Sequence, residues 1–220
     1  MNFTPIFEEW PLFVSGLAVT VLASLVGSVI AIAISVLLGV ASQLEHRGVE
    51  IAVRIFVYVF RGIPLLVLIF LVFYGLPAFG IVLPAFEAGI VALALCSAGY
   101  MIEVVRAALQ AVDPSQKEAG QIDGASHWVI QTRIIFPQAV PTMIANGTNE
   151  ANALIMATSL LSVISVGDVV RSAQQVVSIY FNPFEAYITL AVLYLAVTGI
   201  VARLSIGFER WLRIVTFASR

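Results

Sequence analysis

The side chains able to do chemistry are few. Asn146, Glu150, Thr158 and Ser162 recur at helical spacing within an otherwise apolar stretch, interrupted by Leu154, with Ser165 near the top of the stripe. An amide, a carboxylate and hydroxyls on one helix face supply hydrogen bonds and a charge, but no nucleophile with its base. Ionisable groups inside a membrane span usually face a bundle interior or water. The pattern therefore suits a polar route for a solute. A plainer reading also fits: Ser and Thr often bond their own helix carbonyls, and Asn146 and Glu150 would then mark an inner boundary. Arg61 fits either a side chain facing the path or one snorkelling to the inner interface. Glu103 and Arg106, three apart, suit a local ion pair that anchors a helix end.

Other chemistries find no residues. The chain has no G-x-x-x-x-G-K-[ST] phosphate loop, and Lys117 is its one lysine. It is expected to carry no ATPase site of its own. Neither a Ser/His/Asp grouping nor H-E-x-x-H is present, so an enzyme is not expected. His46 and His127 sit in polar connections, and no intramembrane metal site can be drawn from them. A single cysteine, Cys96, excludes an internal disulfide. A net charge of −2 and a pI near 5.6 give no electrostatic footprint for nucleic acid.

The elements that must position these groups are membrane spans. Of 220 residues 60% are hydrophobic and 11% charged, with mean hydropathy +1.02, and several uncharged runs exceed the ~20 residues that cross a bilayer. The fold class expected is all-α, an integral membrane protein with five transmembrane helices in one domain. The spans fall near 14–41, 55–76 (interrupted by Arg61 and Pro64), 86–109, 140–166 and 183–204, with a cytoplasmic stretch at 110–139. In the first span Ala23, Gly27, Ala31, Ser35 and Gly39 form a four-residue stripe of small side chains that lets backbones approach closely.

Orientation follows from basic residues, which collect on the cytoplasmic side. With the N-terminus outside, that side receives Arg47, Arg54 and Arg61, then Arg106, Lys117 and Arg133, then Arg203, Arg210, Arg213 and Arg220. The outer side receives only Arg171. The C-terminus and the 110–139 stretch are thus cytoplasmic. The opening "MNFTPIFEEWPLF" lacks the basic start of a secretory signal and suits an interfacial segment. Asp168 and Arg171 read as outer loop charges available to an extracytoplasmic partner.

The cytoplasmic stretch has its own design. Asp113-Pro114-Ser115 suits a helix start, Gly120 and Gly124 weaken the helix, and Gly124 permits a sharp turn. A second helical run over about 126–135 would be closed by Pro137. Two short helices meeting near Gly124 would form a rigid knuckle beside the membrane, able to pass motion to or from a partner. The alternative is an amphipathic loop on the membrane surface.

At this point "EAGQIDGASHWVIQTRIIFP" resembles the EAA loop of the membrane subunits of bacterial ABC importers. That pattern reads Glu-Ala-Ala, three residues, Gly, nine residues, then Ile-x-Leu-Pro. Glu118, Ala119, Gly120, Gly124, Ile134, Phe136 and Pro137 occupy its positions at full spacing, with Gly120 for Ala and Phe136 for Leu. The resemblance implies a coupling helix that docks on an ATP-binding subunit. "YVFRGIPLLVLIFLVFYGLP" (58–77) and "AGYMIEVVRAAL" (98–109) are similar to spans of the polar amino-acid permeases. So is "NEANALIMATSLLSVISVGDVV" (149–170), whose Thr-Ser-Leu adds Ser159 to the path candidates. Four positions depart from that subfamily by losing polarity: Ile63 for Thr, Leu68 for Gln, and Met156 and Ala157 for Lys and a polar residue. Either the solute differs in polarity or charge, or this chain is the non-binding half of a heterodimer.

The resemblance thus implies the permease subunit of an ATP-driven importer for a polar amino acid or related solute, in the bacterial inner membrane. Its implied partners are ATP-binding subunits holding ATP and Mg, a second permease of the same or a homologous chain, and an extracytoplasmic solute-binding protein. No cofactor is expected on this chain. An ion-driven secondary transporter is disfavoured because five spans do not divide into inverted repeats. A structural subunit would need no polar path and would tolerate apolar replacement of Asn146, Glu150 and Thr158.

Overall fold

The computed structural model describes residues 2–43 and 46–217; Arg220, counted above for orientation, lies outside them. A short helix α1 (Thr4–Glu8) leads into α2 (Trp10–Ala41), followed by α3 (Arg47–Gly62), α4 (Leu65–Phe70) and α5 (Ala85–Gln110). The cytoplasmic stretch holds α6 (Pro114–Ile122) and α7 (His127–Val129). Then come α8 (Phe136–Ala157), α9 (Val169–Tyr180) and α10 (Pro183–Phe217).

Three helices are long and apolar enough to cross a membrane unaided: α2, α5 and the Pro183–Phe208 part of α10. Two bent pairs, one over residues 47–79 and one over 127–180, bring the number to five. In the first pair α3 meets Leu65–Phe79 at 101°. Pro64 has no N–H to donate and pushes the preceding residue toward extended backbone, and Ile63 sits at φ −89°, ψ 126°. The segment drawn as one crossing at 55–76 is therefore a sharp corner.

The second pair departs further from expectation. Pro137 does not close the second cytoplasmic helix. It sits in the first turn of α8, and the chain runs helically from His127 to Ile164. The missing proline N–H is accommodated by a wide π turn over Ile130–Ile135 immediately before it. After Ile164 the path bends by 50° into α9, through Ser165 in the left-handed region at φ 65°. Residues 169–180, read from the sequence as an outer connection, form this helix. Asp168 is its N-cap, accepting from the Arg171 N–H at 2.9 Å. It is fully buried, so it is no exposed loop charge.

The core is built around α2 and α5. Gly16, Thr20, Ala23, Gly27, Ala31, Ser35 and Gly39 are all buried on one face of α2, which packs chiefly on α5. The approach is close: a Cβ at Gly39 would fall 2.5 Å from Val105 Cγ1. At the amino-terminal end of α2, Ile6 and Phe13 pack with Val169, Ala173 and Val176 of α9. The amino-terminal segment is thus tied to the bundle as well as lying at its surface.

Candidate functional site

Two places in this frame can do work. The first is a cavity of about 300 Å³ between α5 and α8, lined by Glu150, Ser97, Cys96, Tyr100 and the apolar Leu65 and Leu154. Ser97 Oγ donates to Glu150 Oε1 at 3.0 Å. Arg61, at the end of α3, lies with its guanidinium 4.8 Å from the centre of the Tyr100 ring, where its charge acts on Glu150. One carboxylate, one hydroxyl and one phenol thus line a pocket at the lower end of the size range for small-molecule sites, with the Arg61 guanidinium stacked on the Tyr100 ring beside it.

The polar stripe of the fourth span does not act as a unit. Glu150 is half-buried at the cavity and Asn146 is exposed, on a face of α8 shared with Asn149, Ala153 and Met156. Above Ala157 the helix tightens to 3₁₀ geometry, and the 3.6-residue spacing that aligned the stripe ends there. Thr158 and Ser162 turn inward and are buried. Thr158 Oγ1 donates to the Ile155 carbonyl at 2.6 Å and lies 3.4 Å from the Tyr194 hydroxyl. Ser162 and Ser159 bond carbonyls three residues back. Glu103 and Arg106 form the expected pair at 3.0 Å. The apolar departures sit nearby: Leu68 is buried in the core, Ala157 lines the cavity and Met156 is exposed.

The second place is the cytoplasmic knuckle. Asp113 caps α6, its Oδ1 accepting from the Ser115 N–H at 2.9 Å. That hydrogen bond holds the exposed carboxyl below its ordinary value. The far end of α6 closes with the Ala125 N–H donating to the Gly120 carbonyl and the Gly124 N–H to Gln121, both at 3.0 Å. This double bond pattern needs a left-handed residue just past the helix, and Gly124 supplies it at φ 74°. Gly120 is needed for a different reason. A Cβ there would stand 2.9 Å from Ile130 Cγ1 and 3.1 Å from Ile134 Cδ1, so the glycine that departs from Glu-Ala-Ala lets the two arms close.

The motif residues divide by role. Ile134 and Phe136 pack inward with Val105, Ala108 and Ile130 against the inner ends of α5 and α2. Glu118, Ala119, Gly124 and Pro137 are exposed. Ile122, which sequence reasoning passed over, is 85% exposed on the α6 face that carries Glu118 and Ala119, and Trp128 stands 59% exposed on the other arm. Ile122 lies four residues past Glu118, the spacing that puts both on one helix face. Ser97 and Tyr100 were also passed over, although Tyr100 stood inside the quoted 98–109 segment.

Taken together, a five-span helical bundle with a polar pocket and a folded cytoplasmic knuckle defines a membrane permease that works with other chains. The chain belongs to the family described as the binding-protein-dependent transport system inner membrane component, which matches residues 31–214. It is an ABC importer permease. It is 32% identical to the nopaline transport system permease protein NocM of Agrobacterium fabrum (strain C58 / ATCC 33970), over 96% of this chain and 92% of that protein. It is 29% identical to the arginine transport system permease protein ArtQ of Bacillus subtilis (strain 168), over 97% and 98%. The fold matches the crystal structure of an amino acid ABC transporter with histidines at TM-score 0.88 and 32% identity, covering 96% of this chain and 98% of that one. A MetNI methionine transporter chain shares the fold at TM-score 0.71 and 23% identity.

Proposed function

We propose that this permease imports an amino acid or a closely related polar solute. It does so paired with a second permease of the same or a homologous chain, and it receives the solute from an extracytoplasmic binding protein. ATP and Mg are held by separate ATP-binding subunits that dock on residues 118–137. The N-terminus lies outside and the C-terminus in the cytoplasm, as the basic residues favour. Relatives named for nopaline and arginine transport support the solute class. Arg61, Glu150 and Ser97 would meet the solute in the pocket, while Thr158, Ser159 and Ser162 shape the helix above it. Asn146 would lie where the second permease closes the path.

The observation that carries this reading is the knuckle: a motif whose inner residues are locked to the bundle while its outer face displays Glu118, Ala119 and Ile122, all exposed among the described residues. An isoleucine left 85% exposed on a rigid cytoplasmic helix suits a protein cleft. The test is purification of the tagged chain from membranes in mild detergent. The wild type should bring down an ATP-binding subunit, and Ile122→Asp should lose it while still inserting. A chain that purifies alone and stable overturns the reading.

A further inference from the structure

We infer that His127 is a positioning residue that latches the cytoplasmic knuckle to the inner end of α2, so that α2 carries a displacement of the knuckle to the outer half-helix α9. This rests on the docking reading above and goes beyond it, because it names how the movement leaves the knuckle. His127 Nε2 lies 3.2 Å from the Gln43 carbonyl oxygen. A carbonyl can only accept, so Nε2 carries the proton. Among the described residues this is the one side-chain hydrogen bond joining the 110–139 stretch to another part of the chain.

The acceptor is well placed. Gln43 lies just past α2, where helix-end carbonyls lack partners further along, and a donor there complements the negative end of the helix dipole. Trp128, the next residue, lines a shallow groove with Val36, Leu37, Val40 and Ala41 of α2. Val36 and Val40 also pack in the cluster that holds Ile130, Ile134 and Phe136, so the knuckle bears on α2 through both a hydrogen bond and apolar packing.

The other end of α2 is gripped as firmly. The Val169 N–H donates to Thr20 Oγ1 at 3.2 Å, and Ser172 Oγ donates to the Leu12 carbonyl at 3.0 Å. Gly16 lets α9 approach so closely that a Cβ there would fall 2.3 Å from Ser172 Oγ. The helix that joins these grips, α2, is unbroken over all its 32 residues, its one proline in the first turn, and about 48 Å long at 1.5 Å per residue. The α3–α4 and α8–α9 segments are both bent and would absorb a push. An unbroken helix held at both ends transmits it.

The test reads the outer end while nucleotide acts at the inner one. In a Cys96→Ser background, Gly167→Cys places a thiol in the bend before α9. Gly167 is exposed, its φ is not positive, and a Cβ there has open space. The assembled complex is labelled in proteoliposomes with a membrane-impermeant maleimide, with and without ATP plus vanadate. We expect nucleotide to change the labelling rate several-fold in this background. Adding His127→Leu should reduce that response to little or none with the ATP-binding subunit still bound. His127→Gln, whose amide reaches the Nε2 position, should restore it, and Thr20→Val should lose it from the opposite end. An undiminished response in His127→Leu, or no rescue by His127→Gln, overturns the latch while leaving docking intact. Absence of any response in the starting complex also overturns it, and if no ATP-binding subunit is bound there, the docking reading falls as well.

Discussion

The two ends of α2 solve opposite problems. At the outer end, α9 is held by two long-range hydrogen bonds and a glycine contact with no room for a methyl group. At the inner end, the knuckle meets α2 through one side-chain hydrogen bond and the apolar packing of Val36 and Val40, and its far face is exposed among the described residues. Close packing with satisfied backbone groups makes a seal that moves as a body. A single directional bond beside an open apolar face makes a joint that a partner can load. The difference is between an element completed by its own chain and one that awaits another.

Breaking the outer end should cost most. Gly16→Leu drives a side chain into Ser172 and the Asp168 carbonyl. Overpacking of this kind costs about 1–3 kcal/mol or more, and with backbone as the obstacle we expect the upper end, read as a fall in the thermal midpoint of the detergent-solubilised protein. Thr20→Val removes the acceptor of a buried N–H. It should cost about 1–3 kcal/mol by the same measurement, as an orphaned buried donor does.

Changes at the inner end should leave the bundle standing. Gly124→Val forces a β-branched residue to φ 74°, at roughly 1–2 kcal/mol. Its effect should appear as lost co-purification of the ATP-binding subunit, with a smaller fall in the thermal midpoint than either change at the other end of α2. The smallest effect belongs to Asp113. Its carboxyl is held below the ordinary 3.8 by the Ser115 N–H, so its contribution is present above that value and fades as pH falls through the lowered one. Asp113→Asn should flatten only that acid limb of the stability profile.

Much of this was legible in the residues. The small-residue stripe of α2 is the buried face, the glycine turn sits at Gly124, and the break at Pro64 is a true corner. Local chemistry dictates those features. Three others depended on context. Pro137 reads as a stop because proline lacks an N–H, but a π turn placed ahead of it lets the helix run on. The polar stripe reads as one face only if α-helical pitch persists, and it tightens at Thr158. The helix α9 was masked by Gln174, Gln175 and Ser178, although Asp168 as a cap before Val169, Ala173, Val176 and Tyr180 at helical intervals carried the signal.

The most direct test of the account is site-specific photo-cross-linking in intact membranes, with a photoreactive residue at Ile122 on the knuckle or at Leu195 on the bare face of α10. Ile122 should give a covalent adduct with an ATP-binding subunit, whereas Leu195, 72% exposed within the membrane span, should give none. No adduct at Ile122, or equal adducts at both sites, would contradict the claim that the knuckle is where ATP-driven motion enters this permease.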